Sequence, residues 1–270
     1  MNFHVLTVFP EMIESGASFG VVGQACKQGL IRVSALSPRL FAQNVHQTVD
    51  DRPFGGGDGM VMLAETMALA LESILKGIPP ESRKRVIHLS PRGTVFADQK
   101  ARELASSYDD IILVASRYGG VDQRFINQYV DEEISVGDYV LTGGELPALL
   151  IIDAVSRLIP GVLGNELSSA EESFAQGLLE HPQFTRPRQW RGKEVPEILL
   201  SGHHAQINEW KKALSILVTA DRRPELIREL SPSDRKLAER VWKAMSESER
   251  EVCGLSPQAG ERLLEGFEKR

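Results

Sequence analysis

The first 160 residues alternate short apolar runs with amphipathic stretches, and that alternation leaves few folds open. FHVLTVF (3–9), IRVSAL (31–36), RVIHLS (85–90) and IILVAS (111–116) read as strands. Between them, residues 18–28 closed by Gly29, residues 64–76, a stretch from Asp98 and a stretch near 122–129 read as helices. In residues 64–76 the apolar positions Met67, Ala70, Leu71, Ile74 and Leu75 recur at helical spacing and stop at Gly77. Parallel neighbours need crossover connections, so strands alternating with helices predict an α/β fold whose parallel sheet is covered on both faces.

The stretch Glu145–Ile159 carries charge only at Glu145, Asp153 and Arg157, and its apolar residues run nearly all round a helical wheel. Such a helix must be buried on most sides, within the domain or against another subunit. Pro147 fits its first turn, where a missing N–H costs nothing. After Pro160 the pattern breaks. Residues 161–173 are small, polar and acidic and read as a linker, and residues 182–202, with Pro182, Pro187 and Pro196, read as loop. Helical signals return over 203–217, 224–230, 232–245 and 257–267, with Ser231 and Ser256 where N-caps belong. The expected organisation is a front α/β unit (1–160), a linker (161–173) and a small all-helical rear unit (174–270).

Composition narrows the function classes. Hydrophobic residues are 42% and charged residues 25%, which excludes a disordered or fibrous chain. No apolar run reaches membrane-spanning length, and the start MNFHVLTVFPEM lacks the basic region and cleavage site of a signal peptide, so a cytoplasmic protein is expected. Cys26 and Cys253 read as reduced thiols. The net charge of −6 hides an asymmetry: residues 1–173 hold 14 Lys/Arg against 22 Asp/Glu, whereas residues 174–270 hold 17 against 15. An acidic front and a mildly basic rear suggest two units with different surfaces.

Glycines cluster at 55–59, at Gly119-Gly120, and at Gly143-Gly144 after Gly137. None is followed by the Lys-Ser/Thr of a phosphate-binding loop, and none forms a complete dinucleotide fingerprint. Three clusters beside expected strand ends favour a ligand cradled by backbone, since strand ends of an α/β sheet are where ligands sit. Backbone donors and acceptors in VGDYVL (136–141) suit the edge of a purine, with Gly137 allowing close approach.

These stretches, with TVDDRPFGGGDGM (48–60), HLSPRG (88–93), SRYGGVDQR (116–124), HPQFTRP (181–187), LLSGHHAQI (199–207) and RRPEL (222–226), closely resemble one family. It is the bacterial tRNA (guanine-37-N1)-methyltransferases of the SPOUT class, and the resemblance covers essentially the whole chain. It implies a SPOUT-type parallel sheet with a deep trefoil knot, a helical C-terminal tRNA-binding domain, and a homodimer with two composite active sites. General rules of chain topology would have given an ordinary unknotted sheet. The resemblance also implies S-adenosylmethionine as methyl donor, bound bent inside the knot. The donor's adenine would lie on Val136, Gly137, Asp138, Tyr139, Val140 and Leu141. The rest of the pocket would be lined by His88, Leu89, Ser90 and Pro91, by Ser116, Tyr118, Gly119 and Gly120, and by Gly143, Gly144 and Pro147.

The chemistry can be argued independently. Guanine N1 holds a proton at neutral pH, and removing it pushes negative charge onto O6. A productive site therefore needs a carboxylate base near N1, a cation near O6 and a methyl group in line with N1. The resemblance places the base on Glu172 and the cation on Arg157. For RNA contact, the rear unit offers Arg186, Arg188, Arg191 and Lys193, then Lys211, Lys212, Arg222 and Arg223, whose charges would hold phosphates, and the front offers His46, Asp50 and Arg52 near the glycine loop. Trp190 and Trp210 are expected to pack in a core rather than stack on bases. The pair His203-His204 has no third ligand at zinc spacing.

Three positions depart from the family's usual residues: Glu172 stands for Asp, Ser116 for Gly, and Gly119 for Glu. The first lengthens the base by a methylene; the other two alter the donor pocket. Magnesium aids family members, but no ligand cluster in the sequence specifies a site for it. Two alternatives follow: a paralogue of the same fold that holds tRNA or donor with weakened catalysis, and a small-molecule nucleotide enzyme of ordinary α/β topology.

Overall fold

A computed structural model describes residues 1–164, 172–175, 177–227 and 230–260 and divides the chain into two compact units, Met1–Glu166 and Leu167–Arg270. In the first, β1 (Asn2–Leu6) leads through α1 (Pro10–Gly16) and α2 (Gly20–Lys27) to β2 (Arg32–Leu36). A short ribbon of β3 (Asp50–Asp51) and β4 (Val61–Met62) precedes α3 (Ala64–Lys76). Then come β5 (Lys84–Val95), α4 (Asp98–Ser107), β6 (Asp110–Val114), α5 (Gln123–Tyr129), β7 (Glu132–Ser135) and α6 (Glu145–Ser156).

The five-stranded sheet runs β2-β1-β6-β5-β7 and every pairing is parallel, as the alternation predicts. Alternate residues of each strand face opposite sides, so the core divides in two. Phe3, Val5, Ile111 and Leu113 pack with α1, α2, α4 and α6, while Leu6, Ile112 and Val114 pack with α3 and α5. All five residues of β6 are buried, which explains its unbroken apolar reading.

Helix α1 and strand β7 go beyond the sequence reading, as does the β3–β4 ribbon. Helix α1 begins with Pro10 at its first turn but buries only Ile13, too little for a periodic signal. Strand β7 reads EEIS, yet it closes one edge of the sheet because its two glutamates have fixed partners. Glu132 accepts from Arg85 and Lys100, each at 3.2 Å, and Glu133 lies 2.8 Å from His88 Nδ1. Strand β5 is also longer than the expected 85–90: its register on β7 jumps between Leu89 and Thr94, leaving Ser90–Gly93 as an excursion.

The apolar helix ends at Ser156 rather than Ile159; Leu158 and Ile159 continue as turns onto Val155 and Ser156. Ala148, Ile151, Ile152 and Val155 are fully buried among α1, α2 and α4. The preceding segment returns from β7 to meet β6's continuation: Gly143 bridges Arg117, and the Gly144 N–H donates to the Ser116 carbonyl at 2.9 Å.

The second unit is mainly helical, not wholly so. A hairpin of β8 (Gln189–Trp190) and β9 (Lys193–Glu194) lies within the expected loop, ahead of α7 (His204–Arg222), α8 (Pro232–Ala244) and α9 (Glu247–Val252). The expected helix over 224–230 is a single 3-10 turn, Pro224–Leu226, and residues 228–229 lie outside the described residues. Most of the helix expected over 257–267 likewise lies outside them. Ser231 caps α8 by accepting from the Asp234 N–H, whereas Ser256 is held by Asp221 through its N–H at 2.9 Å and its hydroxyl at 2.5 Å.

Candidate functional site

A cavity of about 950 Å³ opens in the first unit at the carboxyl ends of β5, β6 and β7. That is the position at which open α/β sheets bind ligands, and the volume lies in the range of small-molecule and cofactor pockets. Three walls come from the segments that leave these strands. His88, Leu89, Ser90 and Pro91 form the first; Ser116, Tyr118, Gly119 and Gly120 the second; Val136, Gly137, Tyr139, Val140 and Leu141 the third. Gly143, Gly144 and Pro147 complete the lining at the start of α6, and Arg52 with Phe54 lines it from the glycine loop. Asp138 is not among the lining residues.

The walls are fixed by backbone. The Gly119 N–H donates to the Met60 carbonyl at 2.7 Å, and a Cβ at Gly119 would sit 2.9 Å from that oxygen. A Cβ at Gly144 would sit 2.6 Å from the Ala115 Cα, so only glycine lets the two segments touch. Gly137, at φ 143, opens a tight turn in which the Tyr139 N–H donates to the Gly137 carbonyl and the Tyr139 hydroxyl to the Val136 carbonyl.

A chain of side chains crosses the cavity wall. His88 is 2% exposed; its Nδ1 lies 2.8 Å from Glu133 and its Nε2 lies 3.0 Å from the Ser116 hydroxyl. Burial holds the imidazole below its ordinary pKa, against the pull of Glu133, so the ring is neutral at neutral pH. A neutral ring that donates from Nδ1 to a carboxylate accepts at Nε2, which makes Ser116 the donor there. Burial acts to raise the Glu133 carboxyl, but the hydrogen bond from His88 and the charge of Arg92 outweigh it and hold it low.

A second network sits beneath. Glu145, 1% exposed in the first turn of α6, accepts from the Thr7 hydroxyl at 2.7 Å and from Arg117 Nε at 3.0 Å. The Arg117 guanidinium also lies 4.6 Å from the centre of the Phe9 ring. This clamp ties the ends of β1 and β6 to α6. At the cavity's rim, Asp122 caps α5 through the Arg124 N–H and pairs with the Arg124 guanidinium, which holds its carboxyl down at about 2.

The other expected site residues fall elsewhere. His46 is exposed and Asp50 pairs with Met62 in the β3–β4 ribbon; neither lines the cavity. Arg157 is the C-cap of α6, exposed and outside the lining. Glu172, half-buried, and Arg186, exposed, belong to the second unit. Trp210 is 6% exposed as core packing predicts, but Trp190 is 60% exposed. Sequence reasoning missed Glu133, Arg117 and Glu145 as partners. Only their juxtaposition across 28 to 138 residues reveals them. Among the described residues, no group of three or more His, Cys, Asp and Glu gathers as a metal site, and no helix is long and apolar enough to cross a membrane.

Comparison with known proteins gives one answer. The family described as tRNA (Guanine-1)-methyltransferase TrmD matches residues 1–229. The chain is 48% identical over 230 residues to a tRNA (guanine-N(1)-)-methyltransferase of Ruminiclostridium cellulolyticum, covering 85% of this chain and 97% of that one. It is 49% identical over 243 residues to the enzyme of that name from Moorella thermoacetica, covering 89% and 96%. For the enzyme of Vibrio vulnificus the identity is 47% over 230 residues, covering 85% and 91%.

Proposed function

Because the chain belongs to the tRNA (guanine-1)-methyltransferase family, we propose that it moves a methyl group from S-adenosylmethionine to N1 of guanosine 37 in tRNA, preferring a preceding guanosine. The observation that carries this reading is the cavity at the ends of β5, β6 and β7, whose walls are the same segments the resemblance assigns to the donor. Its close backbone packing at Gly119 and Gly144, and its size, fit a nucleoside sulfonium. When bound, that group supplies an electrophilic methyl.

The chain's own residues do the rest. Glu172 takes the proton from guanine N1, and Arg157 neutralises the charge that develops on O6. Both interactions strengthen as the reaction proceeds, which is the condition for catalysis rather than mere binding. Val136–Leu141 orient the donor's base through backbone groups, and Arg52 with His46, Asp50 and Arg186 positions the RNA. Basic residues elsewhere in the second unit hold phosphates, and the target base is turned out of its loop into the cavity. Magnesium is kept as a possible aid to the reaction, although no group of three or more His, Cys, Asp and Glu gathers among the described residues to hold it.

The path from β7 back across Ser116 to α6 supports a knotted front domain, and a tRNA substrate supports a cytoplasmic enzyme. Leu146 and Leu150, one turn apart on α6, stay exposed, as do Phe19 and Val21 beside and within α2. These apolar residues support a homodimer with composite active sites.

The test is incubation with tRNA transcripts varied at positions 36 and 37, followed by nucleoside mass analysis. The reading expects 1-methylguanosine only with guanosine at 37. Glu172→Asp should retain turnover and Glu172→Gln should lose it by roughly 10²-fold or more. Full turnover in the Gln variant removes Glu172 from the mechanism. Binding of tRNA and donor with no methyl transfer by the wild type favours the weakened paralogue.

A further inference from the structure

Two described aromatic side chains of the second unit, Phe174 and Trp190, are exposed and outside its core, and Trp190 is the more exposed. Trp190 stands in the β8–β9 hairpin and is 60% exposed even though the Arg191 guanidinium lies 4.8 Å from its ring centre. The turn that joins the strands, Arg191-Gly192, has positive φ at both residues, 49 and 82, the arrangement that matches the twist of a two-residue hairpin. Arginine is a costly occupant of that left-handed position, where asparagine or glycine fits with less strain. Here it carries a cation onto the indole.

The register adds two more cations to the same face. Trp190 and Lys193 are direct cross-strand partners, so their side chains project together. Arg188, two residues before Trp190, is held in the ladder by the Val195 N–H at 3.0 Å and projects to the same side. Lys193 pairs with Glu251 at 2.8 Å and Arg188 with Glu197 at 3.7 Å. All four of these side chains are solvent-exposed, and such pairs exchange for a phosphate at little cost.

A flat indole flanked by three cations matches an unpaired nucleotide: a base for the ring, phosphates for the Lys and Arg. We propose that the β8–β9 hairpin is a stacking platform for an unpaired tRNA base, with Trp190 as its surface and Arg188, Arg191 and Lys193 as its phosphate and cation–π contacts. The inference rests on the reading of tRNA as substrate and adds to it a contact made by the second unit.

The test compares wild type, Trp190→Ala and Trp190→Phe for affinity to a tRNA transcript and for the tryptophan emission change on binding. Donor binding by calorimetry is the control. The platform predicts that Trp190→Ala weakens tRNA binding roughly tenfold or more, that Trp190→Phe keeps most affinity, and that donor affinity is unchanged in both. It also predicts that most of the emission quench caused by tRNA vanishes in Trp190→Phe. Tight tRNA binding by the wild type with undiminished affinity in Trp190→Ala, or a full quench in Trp190→Phe, overturns the platform alone. No tRNA binding by the wild type overturns the platform together with the substrate reading.

Discussion

His88 Nε2 lies 3.0 Å from the Ser116 hydroxyl, on the opposite side of the imidazole from Glu133. Because Glu133 fixes the proton on Nδ1, Ser116 must spend its own proton on the histidine. Its oxygen then faces the cavity with lone pairs only, an acceptor for whatever donor group a ligand presents. A serine at this position is thus tuned by Glu133, two strands away in the sheet, and the tuning depends on the histidine staying uncharged.

That dependence has a sign. The folded His88 pKa is lowered from the ordinary 6.5, so on acidification the unfolded chain binds its proton first. His88 therefore contributes a stability loss that begins as pH falls through about 6.5 and levels off below the folded pKa. Urea unfolding at a series of pH values should show this decline in the wild type and a flatter profile in His88→Gln. Equal slopes in the two proteins would mean that folding leaves the His88 pKa unshifted.

Glu145 is the strongest single candidate for a stability effect. Its removal leaves the Thr7 hydroxyl and the partly buried Arg117 without their acceptor. Breaking a buried pair by deleting one partner costs about 3–5 kcal/mol. Glu145→Ala is expected near the lower end, because Arg117 retains Phe9 and some solvent, and a shift in the urea midpoint reads it directly.

Asp122→Ala should cost about 1 kcal/mol by removing the cap of α5. The folded carboxyl titrates near 2, below the ordinary 3.8, so this contribution is present above 3.8 and fades as pH falls toward 2. The difference between variant and wild type should shrink across that window in acid unfolding curves.

Gly144→Ala tests the close approach of the α6 entry to β6. The added carbon would meet the Ala115 backbone at 2.6 Å, so one segment must move. Overpacking of this kind costs about 1–3 kcal/mol. The displaced wall should also weaken the S-adenosylmethionine binding proposed for this cavity, measured by calorimetry at a temperature where both proteins are folded.

The sheet, its helices and the buried character of α6 were legible because each is written in local periodicity. β6 is apolar at every residue since both its faces are covered, and α3 repeats its core positions up to Gly77. β7 was not legible, because its glutamates are polar in sequence and find their partners, Arg85, Lys100, His88 and Arg92, on other elements. The hairpin was hidden by an arginine in a turn position that normally announces itself with asparagine. Of the cavity, the glycines and the segments around them could be read. The proton order along Glu133, His88 and Ser116 could not, since it arises from three separate strand ends meeting in space.

Helix α6 finishes the interior of a unit whose other walls are made much earlier in synthesis. Ile13, Val22 and Leu104 face the space that Ala148, Ile151, Ile152 and Val155 later fill. At usual elongation speeds, α1 leaves the ribosome on the order of ten seconds before α6 does. A nascent chain therefore holds Ile13 and Val22 without the helix that covers them for that whole interval.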